Sequence, residues 1–259
     1  MKKLYFFFAG IIFSQLSFSQ LEYKDVAPVF FSRCASCHHQ GGGAPFSLTN
    51  FTETYNNVYS IENDLTNNLM PPWPPDTAYS RFLHERIITQ SEKNDILNWI
   101  NAGAPTGDTT LAPVPPVFPM YKLFGTPDLV LKIPTFTSKA SSSDTYVCFT
   151  LPTNFTQDRI LRAYEIIPGN PAIVHHVVTM VDTSNSTSTD TSGFCFNPPG
   201  DFGIGGYVPG EAPTVFPGEA PLKAGVRIPA DSKIMMQMHY PEGTAGQVDS
   251  TQIRMYFYP

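Results

Sequence analysis

Ser232-Lys-Ile-Met-Met-Gln-Met-His-Tyr240 reads as one extended segment. Side chains alternate along a strand, so Met236 and Met238 share one face while Gln237 and His239 share the other. Four further runs have the same texture: residues 128–133, 146–151, 160–167 and 172–181, each apolar or β-branched and bounded by Gly, Pro, Asn or Ser clusters. Strands at this spacing predict an all-β sandwich or jelly roll. Residues 183–192 form a Ser/Thr/Asp loop with no packing face, and the chain has no internal repeat.

Upstream the texture changes. Residues 105–124 are Pro-rich and without period, which predicts a semi-rigid linker. Before them, residues 20–104 read as helices joined by loops. Val26 and Phe30 lie at i, i+4 spacing on a first helix. Asn50 is placed to cap a second, carrying Tyr55, Val58, Ile61 and Leu65. A third, over residues 91–102, has Ile96, Leu97, Trp99 and Ile100 on one face and Gly103 where a C′ glycine belongs. Between the first two lies Cys34-Ala35-Ser36-Cys37-His38. C-x-x-C-H is the attachment signature of haem c: two thiols for the porphyrin vinyl groups and an adjacent imidazole for the iron. A zinc half-site would need a second Cys pair, which the sequence lacks. Helix, haem motif, loop, helix predicts a small all-α cytochrome c-like domain over residues 20–104.

The N-terminus agrees with export. Lys2 and Lys3, an apolar run over residues 4–13, and Ser17-Phe18-Ser19 before Gln20 make residues 1–19 a signal peptide. That run is too short to span a bilayer, and no later segment reaches spanning length. A soluble protein in the periplasm or secreted medium is the expectation. With two Cys given to haem, Cys148 and Cys195 remain as an even pair in an oxidising location, where a disulfide is the default. Net charge is -6 with only 15% charged residues and no Lys/Arg cluster, so nucleic-acid binding has no electrostatic footprint.

His38 is the proximal haem ligand. For the other face the candidates are Met70, His84 and His39. Met70 is the expected ligand: it heads Met70-Pro71-Pro72-Trp73-Pro74-Pro75, where successive prolines limit the entropy lost in presenting a thioether; the alternative is a core methionine under that loop. His39 neighbours the proximal ligand and cannot reach the opposite face. Three more histidines fall in the strand-rich half: His175, His176 and His239. They are either hydrogen-bonded core histidines or a three-His site for copper or zinc. Adjacent strand residues face opposite ways, so His175 and His176 share an ion only at a strand end or bulge.

Asp144-Thr-Tyr-Val-Cys-Phe149 with Leu151-Pro152, Val174-His-His-Val177, Gly225-Val-Arg227 and Gln237-Met-His-Tyr240, in this order, resemble the N-terminal copper domain of the ascorbate-dependent type II copper monooxygenases, which include peptidylglycine α-hydroxylating and dopamine β-monooxygenase. The resemblance covers residues 125–259. It implies a jelly roll, a copper held by His175, His176 and His239 that receives and relays electrons, and a bridge between Cys148 and Cys195. In that family a second jelly roll, with a His-x-His pair and a Met, binds dioxygen and faces substrate. No His-x-His occurs here, and the sequence stops at Pro259, where that domain should begin.

The expectation is therefore the electron-relay portion, haem c plus one copper, of an exported monooxygenase that hydroxylates a C–H bond with O2. Its redox donor would be ascorbate or another electron-transfer protein, and its oxygen-activating copper domain would be separate or missing. The alternatives are a non-enzymatic periplasmic electron-transfer or copper-binding protein, and a structural sandwich with a vestigial site. A hydrolytic zinc enzyme is disfavoured, since no Glu or Asp stands beside either His motif as a base.

Overall fold

The structure, a computed structural model, describes residues 20–72, 75–123, 125–218 and 222–259; the expected signal peptide, residues 1–19, lies outside them. Twelve strands occur among the described residues: β1 (Leu129–Lys132), β2 (Phe136–Thr137), β3 (Thr145–Pro152), β4 (Arg159–Ile167), β5 (His176–Asp182), β6 (Asp190–Gly193), β7 (Phe202–Tyr207), β8 (Thr214–Val215), β9 (Val226–Ile228), β10 (Lys233–Tyr240), β11 (Val248–Asp249) and β12 (Gln252–Phe257). One five-stranded sheet runs β6-β3-β10-β5-β7; a second runs β1-β12-β4-β8 with β9 also on β4; β2 and β11 form a small third. The two large sheets enclose the main core as a β sandwich, with Met236, Met238 and Tyr240 of β10 packed among Val147, Val177 and Ile253.

β10 is central and buried along almost its whole length, because both of its faces are covered. Met236 and Met238 enter the inter-sheet core as alternation requires. On the opposite face Met235 packs on the Cys148–Cys195 disulfide, and the Gln237 amide donates to the Cys195 carbonyl at 2.5 Å. The loop after β5 is anchored at its start: the buried Asp182 carboxylate accepts from Thr187 and Ser184.

The expected all-α cytochrome c-like domain is not present. The chain is mostly β, and residues 20–104 supply only short helices: α1 (Tyr23–Val29), α2 (Phe51–Asn56), α3 (Val58–Thr66) and α4 (Gln90–Asn101). The physical reasons are local. Pro28 sits inside α1, which passes directly into a π-helical turn over Phe30–Cys34. Asn50 does cap α2, but the helix expected to run on from it breaks at Asn57. No described residue of 35–50 or 67–89 lies in a helix. A satellite core of Val26, Phe30, Ile61, Leu65, Ile96 and Trp99 holds these pieces together. The indole N–H of Trp99 donates to the Pro105 carbonyl at 3.0 Å, which ties the start of the Pro-rich segment to that core. Its far end is fixed to the sandwich, where the amides of Lys122 and Leu123 donate to Glu165 on β4 at 2.8 and 3.2 Å. No helix among the described residues is long and apolar enough to cross a membrane.

The disulfide closes a sequence separation of 47 residues and pins the segment after β6 onto β3. Its removal in a Cys148→Ala/Cys195→Ala variant is expected to cost roughly 2–5 kcal/mol, read as a lower urea midpoint. An unchanged midpoint would mean that the packing around Met235 alone holds this edge.

Candidate functional site

Three imidazoles meet at one end of the β6-β3-β10-β5-β7 sheet. His239 on β10 pairs directly with His176, the first residue of β5. His175 stands just before the strand, its amide bonded to the His239 carbonyl at 3.0 Å. This strand end is what allows two neighbours in sequence to turn toward one point. The turn leading to it is held by the buried Asp249 carboxylate, which accepts from the Asn170 amide (3.0 Å), the Tyr240 hydroxyl (2.9 Å) and Thr251.

The three Nδ1 atoms lie 3.2 Å (His175–His176), 3.1 Å (His175–His239) and 3.2 Å (His176–His239) apart. A metal about 2.0–2.1 Å from each nitrogen would space them roughly 3.3 Å apart in tetrahedral coordination. Hydrogen bonding does not account for the triangle. The Nε2–H of His239 is given to Asp144 at 2.9 Å, and a carboxylate only accepts, so neutral His239 presents a lone pair and no proton at Nδ1. That single lone pair cannot serve two neighbours. The His175/His176/His239 cluster therefore has the donor set and spacing to hold a metal ion.

Around the cluster, Asp144 accepts from the Glu242 amide at 3.0 Å, and this bond together with the one from His239 holds its carboxyl below the usual range. The arrangement is the carboxylate–histidine support that fixes a ligating ring and its tautomer. Tyr146 on β3 stacks flat on His239, with ring centroids 4.3 Å apart and planes 3° from parallel. Burial pushes His176 down to about 4, with His239 and His175 adding to the effect. Burial lowers His239 as well, against the raising pull of Asp144. Neutral imidazoles are the form that binds metal.

Asp144 heads one of the motifs that carry the resemblance, but the sequence assigns it no place at the site. No acid adjoins either His motif in sequence, yet this one, 95 residues away, touches His239. Its position at the head of the β3 segment, across the sheet from the end of β10, was the available signal. It sits behind the imidazole, away from the shared point, where it orients a ligand.

The Cys34–His38 motif forms a helical turn, with the His38 amide bonded to the Cys34 carbonyl. Both thiols are free. They and His38 line a cavity of about 1140 Å³ whose walls also include Met70, His84, Arg86, Phe46, Ile61 and Leu65. The His38 Nδ1 faces the Phe46 carbonyl at 3.0 Å. A carbonyl only accepts, so Nδ1 carries the proton and Nε2 is left with the lone pair. Burial lowers the His38 pKa, against the raising pull of the Phe46 carbonyl and Asp64. Two thiols, a free imidazole nitrogen and a largely apolar cavity fit a covalently held haem. Met70 and His84 both line that cavity. His39 instead stacks on Phe118, centroids 4.2 Å apart, and is not among the cavity's lining residues.

The two sites adjoin. His175, the exposed member of the cluster, is itself a wall residue of the cavity that contains Cys37 and His38. Compared with known proteins, the chain matches no family model and no curated protein.

Two measurements test this geometry. Asp144→Asn is expected to weaken metal binding about ten- to a hundredfold, measured by competitive titration; unchanged affinity would remove Asp144 from the site. Between pH 6.5 and about 4 the unfolded chain takes up a proton at His176 that the fold refuses, so the stability of the metal-free protein should decline as pH falls through that window. His176→Gln should flatten the decline; thermal melts with an unaltered pH slope would contradict the buried, neutral assignment.

Proposed function

We propose that this chain is an exported two-centre electron relay: haem c attached at Cys34 and Cys37 with His38 as ligand, and a copper ion on His175, His176 and His239. The observation that carries the reading is that one cavity is walled by the C-x-x-C-H motif and by a member of the three-His cluster. When bound, the haem supplies a one-electron Fe(III)/Fe(II) couple and the metal a one-electron Cu(II)/Cu(I) couple.

The chain's own residues supply the rest. His38 offers its bare Nε2 because the Phe46 carbonyl holds the Nδ1 proton. Met70, which lines the same cavity, would be the second residue to hold the haem iron; a thioether ligand would raise the reduction potential relative to two histidines. Asp144 fixes the tautomer and orientation of His239. The largely apolar walls of the cavity lower the local dielectric between the two sites. Three neutral imidazoles suit copper or zinc, and the resemblance to the type II copper monooxygenases favours copper. From that resemblance, the process served is an O2-dependent C–H hydroxylation at a second copper held outside these residues. The disulfide supports an oxidising location.

Protein matured with haem c and titrated with copper should contain one of each per chain. His38→Ala should abolish copper reduction by a reduced redox protein while leaving reduction by ascorbate intact. Equal loss with both donors, or haem without stoichiometric copper, would contradict the relay.

A further inference from the structure

The haem motif is seated on a loop of the sandwich with a closeness that two segments joined only by a tether would not show. The turn after β7, Val208-Pro209-Gly210-Glu211, meets Cys37 directly: the thiol donates to the Pro209 carbonyl at 3.3 Å. Arg86, on the wall of the same cavity, closes the contact. Its guanidinium donates to Cys37 Sγ at 3.2 Å, to the Pro209 carbonyl at 3.4 Å and to the Gly210 carbonyl.

Gly210 is needed at this point. A Cβ there would fall 2.5 Å from Cys37 Sγ, 2.8 Å from Arg86 Nη2 and 3.1 Å from the Ser36 carbonyl, at a backbone φ of +76°. Gly43 is equally tight, since its Cβ would come within 2.6 Å of Pro209. The turn is braced from within, the Val208 amide donating to the Glu211 carboxylate at 2.9 Å. It also leads straight to the His cluster, because Tyr207 at its start pairs with Val177, the neighbour of His176.

We propose that Arg86 and the Pro209–Gly210 turn form a clasp that positions the C-x-x-C-H motif against the three-His cluster, so that electrons pass between fixed centres. The inference rests on the relay reading for its purpose, though not for its existence. Arg86 and Gly210 are positioning residues: they act through Cys37 and the turn, and neither is a ligand.

The test uses full-length Arg86→Ala, Arg86→Lys and Gly210→Ala. In protein prepared without haem, alkylation of Cys37, compared per thiolate with the thiolate fraction of each variant measured alongside, should be at least about fivefold faster in Arg86→Ala and Gly210→Ala than in the parent. Cys34, whose thiol burial pushes up to about 12, serves as the slow internal reference. X-ray scattering should show a larger radius of gyration in the same two variants. In haem- and copper-loaded protein, with iron pre-reduced by dithionite and copper oxidised, one electron leaves iron as one arrives at copper. That rate should drop at least about tenfold in Arg86→Ala while both centres keep their optical spectra, and Arg86→Lys should restore part of it. Unchanged Cys37 reactivity and unchanged scattering in both disruptive variants would overturn the clasp. A parent protein that binds both groups and passes no electron between them would overturn the relay reading instead, with the effect on Cys37 still visible.

Discussion

The register of β10 between β3 and β5 is the constraint on which the site depends. His239 stands opposite His176 and Tyr146 only in this pairing. A slip of one residue would turn His239 into the inter-sheet core and expel Met236, Met238 and Tyr240 from it. Each fully buried apolar side chain contributes about 1.5–3 kcal/mol relative to exposure, so three together hold the register firmly. The apolar face of β10 thus sets where its polar face points, and the imidazoles converge as a consequence of core packing.

The cost of placing these imidazoles is offset locally. Burial disfavours protonation of His176 and His239, which would destabilise a fold needing them charged but suits one that uses their lone pairs. Asp144 supplies a partner for the one ring nitrogen of His239 that faces away from the shared point. Tyr146 covers the same ring and leaves little freedom to rotate. Such preorganisation limits the rearrangement required when a cation arrives. It also suits a centre that changes charge by one, since a rigid donor set resists remodelling between oxidation states.

Much of the site was legible from side-chain chemistry, and less of the fold. The alternation in residues 232–240 and the apolar runs of residues 146–151 and 172–181 gave the sandwich, because period-2 burial leaves a direct trace in sequence. Cys148 and Cys195 were paired from their number and compartment. The strand-end condition on His175 and His176 followed from geometry. The helical half is less legible, because C-x-x-C-H fixes no scaffold around itself. Pro28 lies inside α1 and Asn57 separates α2 from α3, and the cavity these shorter pieces leave is completed by residues of the sandwich. The roles of Asp144 and Arg86 leave no trace in local pattern, since each acts on a partner distant in sequence.

The central claim is that the C-x-x-C-H motif and the three-His cluster form one electron-transfer unit. Its most direct test is anaerobic stopped-flow spectroscopy on protein carrying haem c and Cu(II), with dithionite-reduced haem followed optically and Cu(II) followed by electron paramagnetic resonance. The account predicts that the haem re-oxidises in step with loss of the Cu(II) signal, one for one, at a rate independent of protein concentration. Re-oxidation that scales with protein concentration, or a Cu(II) signal that persists beside reduced haem, would contradict it.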